Sequence, residues 1–252
     1  MLNEPFSIGN SFIHRTDPRL RLISAFVYSI VVAVLYGFPS LIASVGFSFA
    51  LVRVAGLNGK AVLKRLALIN GFVLLFWLIL PFTAGGNILY SLGPLNIYET
   101  GVFLALQITL KSNAIIMAFI ALVSTMNFST LGHALNSLRL PQKFVFLFVL
   151  TYRYIFVIEQ EYKKIWRSIK VRGFFPKTTI HCYKTYAYMI GMIFVKASAR
   201  ADRVYRAMLC RGFDGSFYTL AEYPSSGKNR LFLCLIFFCT FSIIFLEIVF
   251  HG

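Results

Sequence analysis

Two arginines are the first candidates for chemistry. Arg172 and Arg211 each precede a Gly-Phe pair, in KVRGFF and LCRGFD, 39 residues apart, and each closes a long stretch with helical patterning. A guanidinium at a helix end presents five donors in a rigid fork, which suits a carboxylate- or carbonyl-lined groove on another protein. The glycine that follows fits the C′ position, where the left-handed conformation carries no Cβ penalty, and a cation in the last turn complements the helix dipole. Either site alone reads as an ordinary helix cap. The repetition of the same ending on two long neighbouring helices points instead to a docking pair, and the chemistry on offer is recognition rather than bond making.

Other reactive side chains are sparse. The histidines (His14, His133, His181 and His251) are scattered, without the spacing of a metal site, and the cysteines (Cys182, Cys210, Cys234 and Cys239) form no CxxC pair. No metal or cofactor is therefore expected. GLNGKAVLK at 56–64 lacks the spacing and the hydroxyl residue of a phosphate-binding loop, and no GxSxG or HExxH occurs, so ATP hydrolysis belongs elsewhere. An enzyme acting at the lipid headgroups remains an alternative. It would have to work with Glu159, Glu161, Asp202, Asp214 and Glu222, none paired at a telling spacing. Lys196, Arg200 and Arg203 make a basic stripe at i, i+4, i+7, facing water and headgroups or an acidic partner. Glu159 with Lys163 and Asp202 with Arg206 have i, i+4 spacing. The net charge of +16 does not imply nucleic acid, because no reader motif accompanies it.

The elements that must position these groups are membrane helices. Of 252 residues 58% are hydrophobic and only 13% charged, with a mean hydropathy of +0.73, too little charge to cover a soluble domain. Apolar runs place five spans, at 22–36, 39–53, 66–82, 101–126 and 231–250, with YGFPS at 36–40 dividing the first pair. Each helix of that pair reaches only about 22 Å. The N-terminal 21 residues lack a cleavable signal peptide's apolar core. Of 25 lysines and arginines, 24 fall on one side of these spans, and the positive-inside rule makes that side cytoplasmic, with the N-terminus in and the C-terminus out. The exception, Lys111, either precedes a span that begins at Ser112 or faces a partner subunit. Residues 1–126 thus hold four spans, 127–229 form a cytoplasmic module and 230–252 a fifth span. The module contains a short helix at 129–140 ending before Pro141, and long helices at 142–171 and 183–210. Both long helices are greasy in the first half and charged in the second, and are expected to start against the membrane and carry their polar ends into the cytoplasm. Asp17 and Pro18 read as the N-cap and first residue of the first span, with Arg19 and Arg21 as interfacial anchors or as contacts to a coupling domain.

These motifs resemble, in order and over nearly the whole chain, the transmembrane T components of energy-coupling factor (ECF) uptake transporters. The matching stretches are HRTDPRLRL (14–22), LNSLRLP (135–141), Val171-Arg172-Gly173 and Cys210-Arg211-Gly212. Valine and cysteine stand where that family commonly has alanine. RADRVYRAMLCRGFDG (200–215) is similar to the cobalt/nickel (CbiQ-type) branch. The resemblance implies an all-α polytopic protein of the cell (plasma or inner) membrane with no catalytic centre and no cofactor. It further implies two cytoplasmic ATP-binding subunits docked on the two x-Arg-Gly tips, and a separate substrate-binding membrane subunit (S component, CbiM- or NikM-like). The solute it implies is cobalt or nickel, the former linked to cobalamin biosynthesis; a vitamin-type T component is the alternative.

Overall fold

The computed structural model describes residues 11, 13, 16–85, 88–92, 95–138, 140–213 and 227–251. His14 and Arg15 of the N-terminal motif, and Asp214 and Glu222, lie outside them. Eight helices are described: α1 (Pro18–Val34), α2 (Phe38–Val54), α3 (Gly59–Thr83), α4 (Glu99–Leu122), α5 (Phe128–Ser137), α6 (Gln142–Val171), α7 (Ile180–Leu209) and α8 (Gly227–His251). The 83–100 loop folds into an antiparallel hairpin of β1 (Ile88–Leu92) and β2 (Leu95–Tyr98), with Leu92 opposite Leu95. The chain divides into two compact units, one drawn from 3–134 and 223–252 and the other from 135–222.

The fold is that of an all-α polytopic membrane protein. Gly59–Thr83, Glu99–Leu122 and Leu231–Val249 are long and apolar enough to cross a bilayer. At 17 residues each, α1 and α2 reach about 26 Å. In the first unit α4 is the central helix, packing against α1, α2 and α3, while α8 lies against α1 and α2. Its inward stripe is alanine, with Ala105, Ala114, Ala118 and Ala121 fully buried, and such small residues let helix backbones approach closely. Gly101 serves the same end, since a Cβ there would collide with the backbone of Leu80 and Pro81. The α3–α4 seam carries polar rungs: Arg65 donates to Ser124 (2.9 Å), Asn70 and Asn113 exchange amide bonds (3.0 Å), and Trp77 Nε1 donates to Thr109 (2.9 Å). The Tyr28 hydroxyl donates to the Ser44 carbonyl (2.7 Å) and pairs with Ser48 (2.7 Å), whose own hydroxyl donates to the Ala114 carbonyl (2.8 Å). One buried ring thereby ties α1 to α2 and α4.

Two sequence expectations need correction here. Lys111 neither precedes its span nor is left for a partner. α4 is continuous from Glu99, and Lys111 Nζ donates to the Ala33 carbonyl (2.9 Å) while lying 4.6 Å from the centre of the Tyr36 ring. Gln107 donates to the Tyr36 carbonyl (2.8 Å), and the Glu247 carboxylate of α8 accepts the N–H groups of Tyr36 (2.7 Å) and Gly37 (2.9 and 3.1 Å) and the hydroxyl of Ser40. The turn between two helices too short to span is thus satisfied by polar side chains from α4 and α8, as an interruption at membrane depth requires. Arg21, in turn, is no surface anchor: it is buried, and its guanidinium donates to Thr125 (3.1 Å).

The second unit is built on α6 and α7, joined by residues 172–179. The expectation that both helices run the same way, from membrane to cytoplasm, is also corrected. Trp166 near the end of α6 stacks on Tyr186 near the start of α7 (centroids 6.1 Å), whereas Phe146 near the start of α6 meets Phe213 just beyond α7 (5.7 Å). The pair is antiparallel. Eight connecting residues reach at most about 28 Å, too little to return the chain along a helix of roughly 45 Å. The start of α7 falls at Ile180 rather than 183 because the Thr179 side chain caps it, accepting from Cys182 N (3.4 Å).

Candidate functional site: the two Arg-Gly helix tips

Each tip is made by the last turn of a 30-residue helix and by the glycine that stops it. At the first, Gly173 (φ +80°) donates to the Lys170 carbonyl (3.0 Å) and Phe174 to that of Ile169 (3.3 Å). At the second, Gly212 (φ +77°) donates to Leu209 (3.0 Å) and Phe213 to Met208 (3.1 Å). Both are Schellman closures with the same pair of backbone bonds, in which glycine alone adopts the left-handed geometry freely. The hydrophobic-Arg-Gly-Phe wording encodes one backbone shape twice.

That shape leaves the arginines outward. Val171, Arg172, Gly173, Cys210, Arg211 and Gly212 are all exposed, Val171 at 88%. Among the described residues neither guanidinium has a hydrogen-bond or ion-pair partner. A β-carbon built on either glycine would meet nothing within 4 Å, so the surface beside each guanidinium is open.

The supports of the two tips differ. Phe174 packs edge-on against Trp166 (6.2 Å) and Tyr186 (5.6 Å), Trp166 also stacks on Tyr162 (6.4 Å), and Lys170 Nζ lies 5.5 Å from the Trp166 ring centre. Four rings and a cation hold the first tip. At the second, Phe213 meets the Phe146 ring alone among these contacts. Since Phe146 lies 26 residues before Arg172, the two tips stand about 40 Å apart along α6.

The charged middle of the hairpin holds a group that the sequence reading passed over. Glu161, its side chain only 17% exposed, pairs with Lys164 (3.5 Å), Lys196 (3.3 Å) and Arg200 (3.1 Å). The hydrogen bond from Lys196 holds its carboxyl below the usual range, with smaller contributions from the Lys164 and Lys196 charges. Two members of the supposed basic stripe therefore turn inward onto α6. Glu159 and Lys163 do pair (2.5 Å), while Asp202 and Arg206 form no ion pair. The signal that could have located Glu161 is its position as the one acidic residue among the cations facing α7, once the helices are known to be antiparallel.

The remaining candidates are structural in their described contacts. Asp17 caps α1, accepting from Arg19 N (3.0 Å), and Pro18 is its buried first residue. Arg19 is exposed. Pro141, also exposed, is the N-cap residue of α6 rather than merely a stop after α5. Among the described residues no group of three or more His, Cys, Asp or Glu could hold a metal ion.

Comparison with known proteins agrees with this architecture. The chain is 28% identical over 244 residues to an "Energy-coupling factor transporter transmembrane protein EcfT" of Leuconostoc gelidum subsp. gasicomitatum, covering 88% of this chain and 89% of that one. Proteins of the same name from Macrococcus caseolyticus (26%, covering 81% and 82%) and Bacillus subtilis (25%, covering 82% of each) are similar over the same extent. The family model described as CbiQ, cobalt transport protein, matches residues 9–220, and the chain belongs to that family.

Proposed function

We propose that this chain is the coupling subunit of an ATP-driven ECF-type importer, carrying no catalytic centre and transmitting motion from ATP-binding partners to a substrate-binding membrane partner. The observation that carries this reading is the pair of identically closed helix tips, each with a free guanidinium, held about 40 Å apart on one antiparallel hairpin. A spacing of that size suits one partner subunit per tip rather than a single groove for both. In this reading residues 127–229 are the cytoplasmic module, with the N-terminus inside and the C-terminus outside. Val171-Arg172-Gly173 and Cys210-Arg211-Gly212 seat in the two ATPases, with each arginine buried as an anchor of hot-spot type.

The mechanics follow from rigidity. Two long helices joined by ring contacts at both ends and by the Glu161 cluster between them move as one lever. When the ATP-binding subunits close, force enters at both ends of that lever and its tilt changes. That tilt reorients the substrate-binding subunit (S component, CbiM- or NikM-like). For the solute we read cobalt or nickel from the motif wording at 200–215, with the metal as cargo of the substrate-binding subunit. The relatives' names, which mention no metal, favour a second reading, a vitamin-type T component.

A photo-cross-linking amino acid at Val171 or at Cys210, in a chain co-expressed with its host's ATP-binding subunits, tests the docking. Each position is expected to capture an ATPase, while the exposed Asp202 on the side of α7 captures none. Equal capture from all three positions would remove the tips from the interface.

A further inference from the structure

Between α6 and α7 runs a trough of about 420 Å³ that the coupling role leaves unused. Leu150, Tyr154 and Ile158 line it on one side and Ala197, Ala201 and Val204 on the other, with Glu161, Lys196 and Arg200 toward one end. We propose that this trough holds one acyl chain of an anionic phospholipid, with the lipid phosphate at Lys196 and Arg200. The inference rests on the reading that the hairpin lies at the cytoplasmic membrane surface.

Size argues for a single chain. The lining runs from Phe146 to Glu161 along α6, about 22 Å or four turns. One turn of a bare 10 Å-wide helix already occupies roughly 420 Å³, so the whole trough has room for one turn of helix spread over the length of four. A partner helix does not fit within it, whereas an extended hydrocarbon chain does. The alanines make the slot: larger side chains at 197 and 201 would fill it.

Charge argues for an anionic head. Lys164, Lys196 and Arg200 surround the single carboxylate of Glu161, which leaves a local charge of +2. The Lys196 and Arg200 side chains are 46% and 36% exposed, and each spends one donor on Glu161, so further N–H groups remain for phosphate oxygens. Glu161 thereby orients the cations and also competes with the lipid for them. An apolar slot ending on basic residues at the inner membrane surface is a recognised way to hold anionic lipids.

The test is lipid retention by the purified full chain, without ATPases, so its outcome is independent of tip docking. The chain is delipidated in non-ionic detergent, supplied with dioleoylphosphatidylglycerol or dioleoylphosphatidylcholine, and bound lipid is counted by native mass spectrometry. The wild type should retain one phosphatidylglycerol with a preference of roughly 30-fold, from about fivefold per basic residue. Lys196→Gln with Arg200→Gln should erase the preference, Ala197→Phe should abolish retention of that molecule, and Glu161→Gln, which frees both cations, should strengthen it. Circular dichroism confirms that each variant is folded. Equal retention of the two lipids by the wild type, retention unaffected by Ala197→Phe, or weaker retention in Glu161→Gln would each overturn the proposal.

Discussion

Glu247 offers the sharpest test of how the membrane unit is held. Its carboxylate accepts the Tyr36 and Gly37 N–H groups that open α2, at 2.7 to 3.1 Å, and the N-cap residue there is a glycine with no side chain to do so. In Glu247→Ala both donors lose their partner. An unsatisfied buried donor costs about 1–3 kcal/mol, which places the loss at about 2–6 kcal/mol. The Ser40 hydroxyl adds little, since it also donates to the Gly37 carbonyl (2.7 Å). A second substitution sharpens the test. Gly37 has φ −70°, which any residue adopts, yet a Cβ there would lie 2.7 Å from Glu247 Oε2. Gly37→Ala should therefore destabilise the wild type, by displacing the carboxylate from its donors, and cost almost nothing in the Glu247→Ala background. Unfolding of the four chains of this cycle in detergent micelles gives the coupling directly. Additive effects, or a Glu247→Ala chain as stable as the wild type, would refute the account of the turn.

Two further predictions concern the hairpin. Because the carboxyl of Glu161 is held below its ordinary range, its contribution is complete above the ordinary carboxylate pKa. It is lost as pH falls through the lowered folded value. Acid titration of hairpin stability, followed by proteolysis, should show that loss in the wild type and a flatter profile in Glu161→Gln. Trp166→Ala removes contacts with three rings, each worth about 0.5–1.5 kcal/mol. It should loosen the Arg172 tip and leave the Arg211 tip intact, with Trp166→Phe restoring most of the loss. Hydrogen exchange at 169–174 and 208–213 reads the two tips separately.

What was legible in the sequence was local. The Arg-Gly-Phe endings, the Asp17-Pro18 start of α1 and the limits of α6 depend on residues within a turn of one another, where capping chemistry leaves a plain signature. The groups that escaped detection find their partners far along the chain. Glu247 reaches Gly37 across 210 residues, Arg21 reaches Thr125 across 104, and Glu161 meets Arg200 across 39. No periodicity records such pairs. The opposed direction of α6 and α7 was within reach, because the span of residues 172–179 is set by backbone length. Amphipathic halves taken one helix at a time conceal it. The 88–98 hairpin lay in a segment read only as a loop without basic residues.

The central claim is that the two Arg-Gly tips are where ATP-binding subunits dock. The most direct measurement is co-purification of those subunits from the host with the tagged chain, in wild-type form and with Arg172→Glu and Arg211→Glu together. Each reversed charge should cost about 2 kcal/mol or more of docking energy, with the chain still folded in the membrane. The account predicts that ATPase accompanies the wild type and is lost from the double variant. Recovery of ATPase with both forms alike would contradict it, and the repeated ending would then be no more than two well-made helix caps.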